Sequence, residues 1–323
     1  GSWAVLAPRR SARPHTALAM ERSSLPERDP TCPFCPGNEE ETPPEIARHP
    51  DGSGWDVRVV PNLFAALGSQ AGNGQAAASH GLFPEIPGAG SHEVIVESPR
   101  HDARLDELEE IDVARVVGTW RARTRSLVAR PEVRGVVVFK NFGPLAGTSL
   151  VHTHSQIIAT PVPLPAIEHR VEVATRFREH EDACVYETLL EEERARSVRV
   201  VDDADGFTTL APFASAAPYE TWIVPHEHRA SFAELGDDCV EPLAAAVIRA
   251  LGAIRRACDD PDYNLMVVSA DGQEGADAFH WFVRIVPKLT TPAGFELASG
   301  MSINTVAPED AAAALRSALE LIG

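Results

Sequence analysis

The chemically richest part of the chain is a glycine-containing loop that runs into two histidines and a glutamine. Residues 140–156 are Lys-Asn-Phe-Gly-Pro-Leu-Ala-Gly-Thr-Ser-Leu-Val-His-Thr-His-Ser-Gln. Backbone N–H groups and hydroxyls of such a loop can bind phosphate. His152, His154 and Gln156 alternate at the start of an expected strand, so their side chains share one face. An imidazole there can attack a phosphoryl group and leave again, while an amide can donate to phosphoryl oxygens, which predicts nucleophilic phosphoryl-group chemistry.

A second set of reactive residues is the Cys-x-x-Cys pair formed by Cys32 and Cys35. Two thiolates at this spacing are typical of a zinc knuckle, which needs two further ligands. His101 and His152 are the candidates for those positions. The pair could instead be a redox dithiol, but no βαβ pattern accompanies it and prolines flank it on both sides. We therefore expect one zinc ion with a structural role, because four protein ligands leave no open position.

Short strands and helices must position these residues. The apolar pattern predicts strands at 55–60, 92–96, 135–139, 156–159, 197–201, 207–211, 221–224, 265–268 and 281–286. It predicts helices at 108–128, 166–196, 237–258 and 307–321, with 166–196 as one long charged helix, and a long surface loop at 68–90. Mixed strands and helices with short hairpin-like connections indicate an α+β fold rather than a doubly wound parallel sheet.

The two halves of the chain resemble each other in the order of their elements. Segments 91–101 and 219–228 are each a strand that leads to a histidine, followed by a helix, a buried strand and a histidine-bearing strand. This pattern predicts an N-terminal unit, residues 1–165, with the cysteine pair and the His-x-His-x-Gln, and a C-terminal unit, residues 166–323. In the second unit Phe282 stands at the position of the nucleophile, so this unit is expected to be a scaffold that also binds sugar. Coincidence of two common patterns is the alternative.

The charge balance limits the partners of the protein. The chain of 323 residues has 29 Lys plus Arg against 47 Asp plus Glu, a formal net charge of −18. Such a surface repels phosphate backbones and anionic membranes, so no nucleic acid and no membrane is expected as a partner, and a small anionic substrate needs a local positive cluster. No apolar run is long enough to span a bilayer. Five cysteines do not make a disulfide framework, which favours the cytoplasm.

Segment 141–156 resembles the active-site signature of the galactose-1-phosphate uridylyltransferases, a branch of the histidine triad superfamily. Five further matches follow the family's order over most of the chain. They are the N-terminal strand with Arg-x-x-Arg-Pro (3–14), the zinc knuckle (32–37), the nucleoside-binding segment (59–67), the segment of the third zinc ligand (98–101) and the sugar-binding stretch (294–297). The resemblance implies two tandem histidine-triad-like units, each a mainly antiparallel sheet with helices packed on it.

The resemblance also implies a role for each residue. His154 would be the nucleophile that takes a nucleoside monophosphate from a nucleotide sugar and releases hexose 1-phosphate, and Gln156 would steady the nucleotidyl intermediate. A second hexose 1-phosphate would then collect the nucleotidyl group. The implied zinc ligands are Cys32, Cys35, His101 and His152. The implied substrate contacts are Arg10 and Arg13 with phosphates, Asn62 and Phe64 with the nucleoside, Asn141 and Ser149 in the phosphate pocket, and Glu296 with sugar hydroxyls at a homodimer interface.

Two departures from the family's pattern leave the nucleoside open. Leu63 stands where typical uridylyltransferases have Asp. Phe282, two residues after His280, stands where some members have the second His of a His-x-His that helps to bind a second metal. Both departures resemble the related ADP-glucose phosphorylases, which use inorganic phosphate as the acceptor. The leading hypothesis is a UDP-glucose–hexose-1-phosphate uridylyltransferase. The alternatives are an ADP-glucose phosphorylase-type adenylyltransferase, a nucleotide hydrolase of the histidine triad type and a non-catalytic nucleotide-binding protein. No second transition-metal site is expected.

Overall fold

The computed structural model describes residues 25–52, 54–68, 79–80, 82–273 and 275–321, and within them ten strands form one antiparallel sheet. These strands are β1 Ala47–His49, β2 Val57–Pro61, β5 Ser91–Val96, β6 Gly135–Phe142, β7 His154–Thr160, β8 Val200–Ala204, β9 Phe207–Leu210, β10 Thr221–Pro225, β11 Tyr263–Val268 and β12 Phe282–Pro287. A short separate hairpin, β3 Ser79–His80 and β4 Phe83–Pro84, lies in the stretch that was predicted to be a loop. The α+β class predicted from the sequence is confirmed.

The sheet is built from two five-stranded halves that follow the two halves of the chain. Its strand order is β1-β2-β5-β7-β6-β11-β12-β10-β9-β8. The five strands from the first half of the chain therefore lie side by side, and the five from the second half continue the sheet. The order β5-β7-β6 is mirrored by β11-β12-β10, and the halves meet where β6 pairs with β11, with Phe142 opposite Tyr263. This arrangement supports the division of the chain between residues 165 and 166, which we retain as a proposal.

The helices correspond to the predicted ones except over 166–196 and at 294–299, where a short helix was not predicted. Their bounds are α1 Glu110–Val128, α2 Pro165–Glu181, α3 Val185–Arg196, α4 Val240–Ala257, α5 Gly294–Ser299 and α6 Pro308–Glu320. The prediction of one long helix over 166–196 is wrong, because Asp182 adopts a left-handed conformation with φ 52° that ends α2 before α3 begins. Among the described helices, none combines the length and the apolar character that a membrane crossing requires.

Helix α1 covers the face of the sheet opposite the His-x-His-x-Gln side chains. Trp120 of α1 is fully buried, and its Nε1 donates to Oγ of Ser155 at 2.7 Å. Ser155 lies between His154 and Gln156 on β7, and successive strand residues point to opposite faces. The core under α1 therefore fixes Ser155, and the alternation of β7 turns His154 and Gln156 toward the other face.

Candidate active site

Four buried side chains with metal-binding atoms meet beside strands β5 and β7. Their ligand atoms all lie within 4.8 Å of one another. Sγ of Cys32 lies 3.6 Å from Nδ1 of His152, and Sγ of Cys35 lies 3.5 Å from Nδ1 of His101 and 3.6 Å from Nδ1 of His152. Sulfur at ~2.3 Å and nitrogen at ~2.0 Å from one zinc ion stand about 3.6 Å apart in a tetrahedron. The predicted ligand set therefore has the spacing of a closed tetrahedral zinc site.

The surroundings of this cluster also fit a metal ion. Nε2 of His152 lies 2.8 Å from the carbonyl oxygen of Ser98, which fixes the proton on Nε2 and the lone pair on Nδ1. The backbone N–H of Asp29 donates to Sγ of Cys35 at 3.4 Å. Burial raises the pKa of Cys32 to about 12 and lowers the pKa of His152 to about 3, because a low-dielectric site disfavours both thiolate and imidazolium. A divalent cation would offset the thiolate charge, and the neutral imidazole is already its ligand form.

A second, smaller group of potential ligand atoms lies in the C-terminal half. Cys184, Glu187 and His228 offer atoms within 4.8 Å of one another, and the rings of His228 and His280 lie 5.1 Å apart. In the predicted duplication, His228 and His280 correspond to the two candidate zinc-ligand histidines of the first half. Glu187 is three residues from Cys184, whereas His228 comes from a distant segment. The expectation of no second metal site stays a prediction that the metal content of the protein tests.

His154 begins strand β7 and lies between two cavities. Its Nδ1 is 2.8 Å from the backbone oxygen of His152, which can only accept a hydrogen bond, so Nδ1 carries the proton. This tautomer places the lone pair for nucleophilic attack on Nε2. The ring of Phe34 packs edge-on against the imidazole at 5.4 Å between centroids. The hydrogen bond and this contact hold the ring in one orientation.

The first cavity, of about 310 Å³, is called the apolar cavity here. Its apolar wall includes Pro33, Phe34, Val60, Leu63, Phe64 and Val94. Asn62, Ser149, His154 and Gln156 contribute polar atoms to the same cavity. A mostly apolar pocket with a few convergent polar groups is typical of small-molecule sites. The structure thus brings the two predicted nucleoside contacts, one predicted phosphate contact and both predicted catalytic residues to one cavity.

The second cavity, of about 390 Å³, is called the polar cavity and shares His154 with the first. Lys140, Asn141 and Arg104 are among its lining residues. Asn141 accepts a hydrogen bond from Nδ2 of Asn264 at 2.8 Å, and Arg104 forms a two-bond ion pair with Asp260. Asn141 and Ser149 were predicted in one phosphate pocket, whereas they line different cavities. Both cavities meet at His154, so groups bound on either side can reach its imidazole.

A buried ion pair that the sequence does not single out lies beside the two histidines. Nζ of Lys140 donates to Oε2 of Glu97 at 2.5 Å, to Oγ1 of Thr153 at 2.8 Å and to the backbone oxygen of His154 at 3.2 Å. Lys140 and Glu97 are each 1% exposed. The pair ties β5, β6 and β7 together at the start of β7. One signal was present in the sequence: Lys140 continues the buried alternation of Val136 and Val138 on β6.

We expect Lys140→Met to lower the free energy of unfolding by about 3–5 kcal/mol, since the Glu97 carboxylate would remain buried without a countercharge. The double variant Lys140→Met/Glu97→Gln should lose less, because neither charge remains. Chemical denaturation measures both values. The control is Arg196→Met on α3, whose exposed ion pair with Glu192 is worth less than about 1 kcal/mol. A loss for Lys140→Met no larger than that of this control would contradict the prediction.

One predicted substrate contact lies away from these cavities, and two others cannot be placed relative to them. Arg10 and Arg13 lie outside the described residues. Glu296 lies on the short helix α5, where its carboxylate accepts a hydrogen bond from the backbone N–H of Ala293 at 3.0 Å. Within the described part of the chain, Glu296 lines neither cavity. Its neighbours expose apolar side chains, namely Phe295, Leu297, Met301 and Ile303.

Sequence comparison relates the chain to a known group of enzymes. The sequence model of the family described as "Galactose-1-phosphate uridyl transferase, N-terminal domain" matches residues 1–163. An ADP-glucose phosphorylase of Arabidopsis thaliana is 31% identical over 318 residues, covering 97% of this chain and 89% of that protein. A galactose-1-phosphate uridylyltransferase of Thermotoga maritima is 28% identical over 246 residues, covering 73% of this chain and 76% of that protein.

Solved structures show the same relationship. A crystal structure of an ADP-glucose phosphorylase from Arabidopsis thaliana with bound ADP-glucose has a TM-score of 0.79 and 32% identity, covering 91% of this chain and 92% of that one. A uridylyltransferase structure has a TM-score of 0.80 and 27% identity, covering 92% of this chain and 94% of that one. Fold, site and relatives together define an enzyme of the nucleotidyltransferase class. The chain belongs to the galactose-1-phosphate uridylyltransferase family.

Proposed function

We propose that this enzyme moves a nucleoside monophosphate between a nucleotide sugar and hexose 1-phosphate through a covalent bond to His154. The observation that carries this proposal is the 2.8 Å hydrogen bond from Nδ1 of His154 to the backbone oxygen of His152, which leaves the attacking lone pair on Nε2 of a residue that lines both cavities. Nε2 attacks the α-phosphorus, and the bond from that phosphorus to the sugar-phosphate oxygen breaks, so hexose 1-phosphate leaves with the electron pair. A phosphate oxygen of the acceptor then attacks the same phosphorus, and Nε2 recovers its lone pair.

The proposed supporting groups stabilise the negative charge on the phosphoryl oxygens. Gln156 and Ser149 line the apolar cavity with His154 and can donate hydrogen bonds to those oxygens. Arg10 and Arg13 are proposed phosphate contacts. The remaining proposed contacts are Asn62 and Phe64 for the nucleoside and Asn141 in the polar cavity. A zinc ion in the four-residue cluster would supply structural stability only, by holding the loop whose Phe34 packs on His154.

A second candidate is an ADP-glucose phosphorylase-type reaction, with an adenylyl group and inorganic phosphate as the acceptor. One observation favours it: at nearly equal coverage of this chain, the ADP-glucose phosphorylase structure is 32% identical in sequence and the uridylyltransferase structure is 27% identical. The chemistry at His154 is the same in both cases. The two candidates differ in the base that occupies the apolar cavity and in the acceptor that the polar cavity admits.

Incubation with paired donors and acceptors separates the candidates. We expect UDP-glucose with galactose 1-phosphate to give glucose 1-phosphate and UDP-galactose, because the acceptor phosphate attacks the uridylyl-histidine. The measurement is chromatographic product analysis, with each donor alone as the control. Conversion of ADP-glucose and inorganic phosphate to ADP, with no reaction of UDP-glucose, would overturn the first candidate in favour of the second. Accumulation of free nucleoside monophosphate without any acceptor would contradict both and favour a hydrolase.

Glu296 has a proposed role that depends on a second copy of the chain. We propose that it contacts sugar hydroxyls across a homodimer interface. The exposed apolar side chains of α5 and the residues after it, such as Leu297 with 79% of its surface exposed, support such an interface. Light scattering of the purified protein measures the oligomeric state, and a monomer would contradict this role.

The proposed location of the enzyme is the cytoplasm.

A further inference from the structure

A buried histidine outside the predicted set lies between residues 62–66 and the side-chain amide of Gln156. His92 lies on β5, one diagonal position from Gln156 on the paired strand β7. Its Nδ1 is 3.0 Å from the backbone nitrogen of Ala66, and its Nε2 is 3.0 Å from Oε1 of Gln156. Nδ2 of Asn62 lies 3.4 Å from the same Oε1. Oδ1 of Asn62 accepts the backbone N–H of Phe64 at 2.9 Å.

Two backbone N–H groups determine the orientation of this whole network. A backbone N–H can only donate, so Ala66 requires an unprotonated Nδ1 on His92, and the imidazole proton then lies on Nε2. In the same way Phe64 requires the oxygen of Asn62 on its side, which turns the amide nitrogen toward Gln156. His92 Nε2 and Asn62 Nδ2 lie 3.1 Å apart because both are directed at one acceptor. Oε1 of Gln156 thus accepts two hydrogen bonds, and its –NH₂ end is the end that can donate to a substrate.

We propose that His92 is a positioning residue that couples residues 62–66, called the nucleoside loop here, to the orientation of the Gln156 amide. This role rests on the nucleotidyl transfer proposed above. The terminal torsion of glutamine has two nearly equivalent orientations. In the wrong one, the carbonyl oxygen of Gln156 would face the phosphoryl oxygens and repel them. His92 disfavours that orientation, because the –NH₂ group of Gln156 would then meet the N–H groups of His92 and Asn62.

The coupling predicts where a defect should appear in the kinetics. Residues 62–64 of the nucleoside loop line the apolar cavity, whereas Gln156 acts on the charge that develops during phosphoryl transfer. Loss of the Nε2–H donor of His92 leaves the cavity wall in place but releases the amide of Gln156. The rate constant of adduct formation should therefore fall, while the dissociation constant of the nucleotide sugar changes little.

Two substitutions of His92 separate positioning from structural support. Asparagine can replace Nδ1 as the acceptor for Ala66 but lacks a donor at Nε2, whereas glutamine can place its amide N–H near the position of Nε2. We expect His92→Asn to slow single-turnover formation of the nucleotidyl-histidine by about 10- to 100-fold, with nucleotide-sugar affinity within about threefold of wild type. His92→Gln should restore the rate to within about tenfold of wild type. In a Gln156→Ala background, His92→Asn should cause no further loss, because its effect passes through that amide.

Equal losses in His92→Asn and His92→Gln, or losses that add in the Gln156→Ala background, would overturn the positioning role. His226→Asn is the control, since His226 is a partly exposed histidine of the second half that bonds Asp203 and Thr208. The ¹⁵N spectrum of the His92 imidazole gives a readout that needs no substrate. A protonated Nε2 and an unprotonated Nδ1 support the network, and the opposite tautomer overturns it. A wild-type enzyme that forms no adduct overturns the proposed function and not the network.

Discussion

Replacing His154 by Ala is expected to lower nucleotidyl transfer by at least about 10⁴-fold while the protein stays folded. The reason is that Nε2 of His154 is the proposed nucleophile of both half-reactions. Wild-type protein mixed with UDP-glucose alone should gain the mass of one uridylyl group, and His154→Ala should gain none. Intact mass spectrometry after a denaturing alkaline quench measures the adduct, because acid cleaves a phosphohistidine.

The matched control for this experiment is His226→Ala in the second half. His226 bonds Asp203 and Thr208 rather than groups of the candidate site, so its loss should leave both the adduct and the turnover in place. Gln156→Ala should slow both half-reactions and still allow the adduct, since its role is support. A uridylyl adduct in His154→Ala would contradict the assignment of the nucleophile. An adenylyl adduct from ADP-glucose, with none from UDP-glucose, would favour the second candidate function.

Replacing Cys32 by Ser is expected to remove one equivalent of zinc per chain and to lower the free energy of unfolding by about 3–5 kcal/mol. The cluster holds the loop before β1 against β5 and β7, and its buried thiols and imidazoles have few other partners to satisfy them once the metal is lost. Elemental analysis gives the zinc content, and chemical denaturation gives the stability. The rate of nucleotidyl transfer per folded molecule should fall much less than the amount of folded protein, because the zinc has no proposed part in the bond changes.

Cys258→Ser is the matched control for the zinc experiment. Cys258 follows α4, and burial raises its pKa to about 12, but it belongs to neither group of candidate ligands within the described residues. This variant should keep the full zinc content. Folded wild-type protein without zinc would contradict the metal site. Two ions per wild-type chain, with one left in Cys32→Ser, would contradict the expectation of a single site and assign the second ion to the group around Cys184 and His228.

The sequence by itself determined most elements of the fold and the chemistry of the central segment. Strand and helix periodicity depends on neighbouring residues, so strands such as β10 and helices such as α1 are found within a few residues of their predicted bounds. The two-residue spacing of His154 and Gln156 is equally local, because alternation along β7 sets their common face, whereas His152 lies just before that strand. The echo of 91–101 in 219–228 also predicted the duplicated order that the sheet shows.

Only the tertiary structure decided which distant side chains meet. His92 reaches Gln156, and Lys140 reaches Glu97, through the register in which β5 and β6 pair with β7, and no short-range pattern specifies that register. The separation of Asn141 and Ser149 into two cavities depends in the same way on how the loop between β6 and β7 folds over His154. The break between α2 and α3 lies at Asp182, whose left-handed conformation ends α2. The burial and orientation of polar groups depend on contacts among segments far apart in the chain. Residue type and spacing alone therefore do not predict them.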